Sequence, residues 1–111
     1  MAYSKIELFS LELQGCAELY KALAHPARLA ILKYLAITKT CITGELADEL
    51  PLGRTTVNQH LKELKDAGLI VGTTKGAKTC YCLNLEKIKE LIKISESFMR
   101  EIHVPENFSC E

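Results

Sequence analysis

The chain has 111 residues, 48% of them apolar and 25% charged, with as many acidic as basic side chains and a formal net charge of zero. That length supports one domain with a modest core and hardly two. No stretch approaches the roughly 18 apolar residues of a membrane span, and Lys5, Glu7 and Glu12 interrupt any apolar run that a secretory signal would need, so a cytoplasmic protein with no membrane partner is expected.

From Ile6 to Leu23 the apolar positions Ile6, Phe9, Leu13, Cys16 and Tyr20, with Leu8, Leu19 and Leu23 beside them, recur with helical period. Gly15 weakens this first helix by up to about 1 kcal/mol relative to Ala. Ala24-His25-Pro26 is a break and a restart, with Pro26 suited to a first helical position and His25 read as structural. The second helix, Pro26 to Ala36, is expected to turn Leu29, Ile31, Leu32 and Leu35 inward and Arg28 and Lys33 outward. Ile37 to Ile42 is a connector. Thr43 can then cap a short helix over Glu45 to Leu50, which ends in the turn Pro51-Leu52-Gly53.

The next stretch, Gly53 to Ile70, reads GRTTVNQHLKELKDAGLI. Val57, Leu61, Leu64 and Ala67 form one buried stripe of an amphipathic helix, and Arg54, Thr55, Asn58, Gln59 and Lys62 fall away from it. Those five are donors, acceptors and cations suited to base edges and phosphates; carboxylates join only from Glu63 onward. A solvated face would look similar, but two helices meeting across about three residues is helix-turn-helix spacing. Gly68 ends the helix. Leu69 to Thr74 and Lys78 to Asn84 then form a hairpin whose tip, Lys75-Gly76-Ala77-Lys78, has a cation at each end, as a wing along a phosphate backbone requires. Tyr81 and Leu83 share one strand face, Cys80 and Cys82 the other. From Arg54 to Lys78 five cations stand against two acids, a local excess of three positive charges that the rest of the chain balances, so one face is suited to DNA although the whole is neutral.

Asn84 caps a last helix over about Leu85 to Ile102, with Leu85, Ile88, Leu91, Ile92, Ser95, Phe98, Met99 and Ile102 at three- and four-residue steps. So long a stripe exceeds what the domain alone can cover, which implies a partner. The tail, residues 103–111, has no periodicity and is expected to be mobile, beside a DNA-binding and dimerisation domain over residues 1–102. The expected fold is mainly α with a small β-hairpin wing, a winged helix-turn-helix of order α-α-α-α-β-β-α.

The run Ala22-Leu23-Ala24-His25-Pro26-Ala27-Arg28-Leu29 with Ile31-Leu32, then Glu45-Leu46-Ala47, Thr56-Val57, His60-Leu61-Lys62, Ala67-Gly68-Leu69-Ile70 and Tyr81 to Asn84 resembles the ArsR/SmtB family of bacterial repressors. The resemblance covers roughly Tyr20 to Asn84 closely and the terminal helices in outline. It implies a homodimer built on the first and last helices, with Ile6, Phe9, Leu13, Cys16, Ile88, Leu91, Phe98 and Met99 at the interface. It further implies double-stranded operator DNA as partner, with half-sites about one helical turn, roughly 34 Å, apart. The DNA-facing set would be Arg54, Thr55, Thr56, Asn58, Gln59, His60, Lys62, Lys75 and Lys78. His60 is open between packing, a phosphate contact and base reading.

The family's inducer sites fit this chain poorly. A zinc-type site on the terminal helices needs Asp and His where Leu85 and Lys87 stand and a His where Phe98 stands; only Glu101 remains. A thiolate site before the short helix finds Cys41 but Gly44 in place of a second cysteine. Five cysteines, Cys16, Cys41, Cys80, Cys82 and Cys110, are an odd number, expected to be thiols in a reducing compartment. Cys16 lies on the apolar stripe and reads as a packing residue, whereas Cys41, Cys80, Cys82 and Cys110 are candidate ligands. Thiolates favour soft acceptors, which points to As(III) or another thiophilic metal as inducer. A redox or sulfur sensor with reversible cysteine oxidation is the alternative, and a winged helix used only for protein contacts is a third reading. Nothing in the spacing suggests an activated nucleophile or a phosphate loop, so no enzyme is expected.

Overall fold

A computed structural model describes residues 5–38, 51–76 and 78–110. Its elements are a 3₁₀ turn over Lys5–Leu8, helices α1 (Leu11–Leu23), α2 (Pro26–Thr38) and α3 (Arg54–Asp66), strands β1 (Ile70–Lys75) and β2 (Lys78–Leu83), and helix α4 (Leu85–Glu101). This is the mainly helical chain with a two-stranded antiparallel wing that the sequence leads one to expect. The short helix expected over Glu45 to Leu50, its cap Thr43 and the connector from residue 39 lie outside the described residues. No described helix is long and apolar enough to cross a membrane.

The first expected helix is divided. Ser10 caps α1 by accepting the Leu13 N–H at 3.2 Å, and the Ile6 carbonyl accepts the Phe9 N–H at 3.1 Å to close the turn before it. A serine oxygen competing for a backbone donor starts a new helix even where the apolar period runs through it. At the restart His25 caps α2: its carbonyl accepts from Arg28 and Leu29, and its Nδ1 accepts the Ala27 N–H at 3.0 Å. Helix α2 continues two residues beyond the expected Ala36. Its inward stripe is Ala27, Ile31 and Leu35, each four residues from the next. Leu29, expected inside, is 47% exposed, because two residues past Ala27 is nearly the opposite side of a helix.

The core gathers Leu19, Ala22, Ile31, Leu35, Val57, Leu61, Leu64, Leu69 and Ile70, with Tyr81, Leu83, Ile88 and Leu91 packed against it. Helix α3 ends in a Schellman motif. Gly68 takes a positive φ of 82°, its N–H reaches the Lys65 carbonyl at 2.9 Å, and the Leu69 N–H reaches the Leu64 carbonyl at 3.0 Å. Leu64 and Leu69, the pair such a motif brings together, are both fully buried. The wing follows at once, in a register running from Ile70 opposite Leu83 to Lys75 opposite Lys78. Gly72 faces Tyr81, and a Cβ there would come within 3.1 Å of the ring.

Asn84 joins the wing, α3 and α4. Its side chain accepts the Lys87 N–H as the α4 cap, its Nδ2 donates to the Gly68 carbonyl at 2.9 Å, and its backbone N–H donates to the Leu69 carbonyl at 2.9 Å. Helix α4 lies against α1 through a Tyr20–Ser95 hydroxyl contact of 2.7 Å and an edge-on Tyr20–Phe98 ring pair. None of its residues is fully buried. Residues 103–110 are irregular and exposed.

Candidate nucleic-acid interface

Helix α3 presents one continuous polar surface. Val57, Leu61 and Leu64 anchor its inner side, while Arg54, Thr55, Thr56, Asn58, Gln59 and Lys62 are exposed on the outer one. Its first turn carries no acid, and Gly53 at the N-cap supplies no side-chain acceptor. The positive end of the helix dipole thus lies beside Arg54, a favourable place for a phosphate. Further along, the helix answers its own polar groups: Gln59 Nε2 donates to Glu63 Oε1 at 3.2 Å, and Lys62 Nζ meets Asp66 Oδ2 at 3.1 Å. Both are exposed i, i+4 contacts, which are weak and easily exchanged for an external partner.

His60 departs from the rest of the expected DNA-facing set. It is only 7% exposed and turns into the molecule, because it stands three residues after Val57 and four before Leu64, on the buried stripe. Its Nδ1 accepts a hydrogen bond from Arg28 Nε at 3.2 Å, its ring lies 4.2 Å from that of His25, and its Nε2 has no partner among the described residues. Burial lowers its pKa below the ordinary imidazole value of 6.5; the nearby His25 and Arg28 lower it further, and Glu63 partly opposes them. Arg28, expected to point outward, also donates through Nη1 to the carbonyls of Lys21 and Ala22 at the end of α1. Charge marked Arg28 as a surface residue; a cation two residues into α2, just after the end of α1, was the available signal for this role.

The wing brings Lys75 and Lys78 together at the last register pair before the turn, with Gly76 at a φ of 62°. They follow α3 through only the Gly68-Leu69 corner and one strand, so cations and recognition face belong to one supersecondary unit.

The candidate ligands are less gathered. Cys80 is a partly buried free thiol and Cys110 an exposed one; Cys82 is disulfide-bonded, a departure from the all-thiol expectation. Cys41 lies outside the described residues. Among the described residues no three or more Cys, His, Asp or Glu side chains form a metal-binding group. At the zinc-type positions Lys87 pairs with Glu90 at 3.5 Å and Phe98 packs on Tyr20.

The expected interface residues fall into three groups. Ile6, Phe9, Leu13 and Met99 are exposed, Phe9 by 60%, whereas Ile88, Leu91 and Phe98 are partly covered by their own chain. Cys16 is already buried within the subunit, beside Leu13, Ile94 and Phe98. Leu8 in the 3₁₀ turn, already placed beside the apolar stripe, and Leu11, not named from the sequence, add to the exposed apolar surface around the start of α1.

A helix-turn-helix domain family matches residues 23–73. An uncharacterized HTH-type transcriptional regulator of Methanocaldococcus jannaschii, MJ1325, is 36% identical over 81 residues, covering 73% of this chain and 91% of the regulator. The HTH-type transcriptional repressor SmtB of Mycobacterium tuberculosis is 41% identical over 71 residues, 64% of this chain and 52% of that protein. Among solved structures, a possible transcriptional regulator for arsenical resistance superposes with a TM-score of 0.65 at 29% identity, covering 71% of this chain and 81% of the other. The homodimeric winged helix-turn-helix domain Mb0332 of Mycobacterium bovis, described as a possible ArsR-family transcriptional regulator, superposes with a TM-score of 0.62 at 27% identity, with full coverage of both chains.

Proposed function

Because this chain belongs to the ArsR/SmtB family of winged helix-turn-helix transcriptional regulators, a family of non-catalytic DNA-binding proteins, we propose that it is a homodimeric repressor released from its operator by an inducer acting on cysteine thiols. The observation that carries the reading is the acid-free outer surface at the start of α3, held outward by the buried Val57, Leu61 and Leu64. Arg54, Thr55, Thr56, Asn58, Gln59 and Lys62 meet the major groove, and Lys75 and Lys78 follow the adjacent phosphates. Residues 1–102 act as the DNA-binding and dimerisation unit, with 103–111 as an appended tail.

The uncovered apolar residues of α1 and α4 support a twin subunit as partner, as does the homodimer formed by Mb0332. For the inducer, the likeness to a possible regulator of arsenical resistance and the soft chemistry of thiolates support As(III) or another thiophilic metal bound by a set drawn from Cys41, Cys80, Cys82 and Cys110. The disulfide at Cys82 favours a second reading, in which oxidation rather than metal capture weakens DNA binding.

The test starts from a duplex selected by the reduced protein out of a random-sequence library. Its binding is titrated with arsenite, zinc, copper(I) and a persulfide donor in parallel, for the parent and for Cys41→Ser, Cys80→Ser, Cys82→Ser and Cys110→Ser. Release by arsenite, abolished in at least one variant, is the expected result. Release by the persulfide donor alone transfers the function to oxidation, and release by none of the four, or an equal response in every variant, removes the thiol mechanism.

A further inference from the structure

The apolar stripe beneath α3 holds the helix down but has little directional preference, since nonpolar contacts depend mainly on area. Direction comes from Arg28. Its guanidinium donates to the last carbonyls of α1, at 3.3 Å to Lys21 and 3.2 Å to Ala22, and its Nε donates to His60 Nδ1 on α3 at 3.2 Å. One side chain of α2 thereby ties the end of α1 to the middle of the helix that carries Asn58, Gln59 and Lys62.

The bond from Arg28 has a chemical condition. An imidazole Nδ1 accepts only while it carries no proton, so the joint exists with His60 neutral and its proton on Nε2. Protonation would set an N–H donor against the Arg28 Nε–H and place two cations about 3 Å apart inside the molecule. Among the described residues the groups facing His60 are the His25 ring at the α1–α2 corner and Arg28 on α2, and Glu63 lies one turn along its own helix. Among the described residues only Glu63 favours a charged imidazole, and it is already engaged with Gln59.

We propose that Arg28 and His60 form a latch that orients α3 for the groove, and that protonation of His60 opens it, so that acidification weakens operator binding. This rests on the reading of α3 as the DNA-contacting helix. It makes Arg28 and His60 positioning residues that never touch DNA. The sign separates the latch from the ordinary alternative, because an imidazole facing a phosphate would bind DNA more tightly when protonated.

The test measures affinity for the selected duplex at fixed ionic strength from about pH 7.5 to about pH 5.5, for the parent and for His60→Asn, whose amide oxygen stands where Nδ1 does and accepts from Arg28 without titrating. With the unlatched imidazole at its ordinary value of about 6.5, acid to pH 5.5 raises the ratio of open to closed latch by about tenfold per subunit, so binding by the parent falls by up to roughly that factor, while the variant stays nearly level. An equal fall in both, or affinity rising with acid in the parent, overturns the latch.

A second measurement needs neither DNA nor a variant. In the free parent protein the NMR signal of the Arg28 Nε–H is expected to shift along the His60 titration curve. An Arg28 signal that stays put while His60 gains its proton disproves the joint even if His60→Asn does not fold. Failure of the parent to select any duplex at pH 7.5 would instead strike the DNA-binding reading, and the NMR titration would still decide the latch.

Discussion

Replacing Asp66 with Asn is expected to tighten DNA binding, a direction that runs against the usual outcome of mutating a binding helix. Lys62 Nζ sits 3.1 Å from Asp66 Oδ2, and the two side chains are 67% and 60% exposed. A solvent-exposed i, i+4 pair of this kind is worth about 0.3–0.5 kcal/mol, and about 1.4 kcal/mol is a factor of ten. Freeing Lys62 therefore gains about twofold per subunit and about fourfold for a dimer with both helices on DNA, before any relief of repulsion between the carboxylate and phosphates is counted. Folding stability should barely change, because an acid at the C-terminal end of α3 opposes the helix dipole and its loss offsets that of the pair. The assay is fluorescence anisotropy on the selected duplex from about 50 to 200 mM salt, with Lys62→Ala alongside. Lys62→Ala should weaken binding and flatten the salt dependence by roughly 0.9 in logarithmic slope per subunit. If Asp66→Asn binds no better and Lys62→Ala no worse, the middle of α3 is not at the groove and the docking inferred from its exposed face is wrong.

Gln59→Ala should lose about 1–3 kcal/mol on the selected duplex and little on random DNA, whereas Lys75→Ala and Lys78→Ala should weaken both alike and flatten the salt dependence; a uniform loss for Gln59→Ala would deny it base reading. Phe98→Glu, which puts a charge on the face shared by α1 and α4, should halve the sedimenting mass, and an unchanged profile would move the dimer contact elsewhere. Leu64→Ala empties a fully buried position at the Schellman corner and should cost about 2–5 kcal/mol in urea unfolding; a loss under about 1 kcal/mol would mean that the corner is not packed as described.

Much of this fold was legible because its elements are written as periods. Val57, Leu61 and Leu64 are spaced as one side of a helix, Ala67-Gly68 stops it, and the alternation of Cys80, Tyr81, Cys82 and Leu83 places the tyrosine and leucine against the core. What was misread, or left open as at His60, follows from two signals disagreeing at one residue. At Ser10 the apolar period continues from Phe9 to Leu13, so periodicity alone runs through a break that a single side-chain hydrogen bond makes. At His60 the chemical type suggests a DNA contact, while its spacing from Val57 and Leu64 assigns it to the interior; spacing wins, because the backbone fixes direction before chemistry is consulted. Arg28 was hidden for another reason, since its partner stands 32 residues away and charge by itself argues for solvent.

The same helix bears on how a protein with no net charge would serve as the inducer-released repressor proposed above. The acids withheld from the first turn of α3 reappear in its second half, where Glu63 and Asp66 occupy Gln59 and Lys62 in the free protein. Each contact must be exchanged on binding, which trims affinity by a few tenths of a kcal/mol per pair. With the favourable terms kept small, a coupling of about 1–3 kcal/mol between inducer and DNA is enough to change operator occupancy appreciably. A strongly basic helix of the same shape would hold DNA by charge alone, and an inducer of equal coupling would leave it bound.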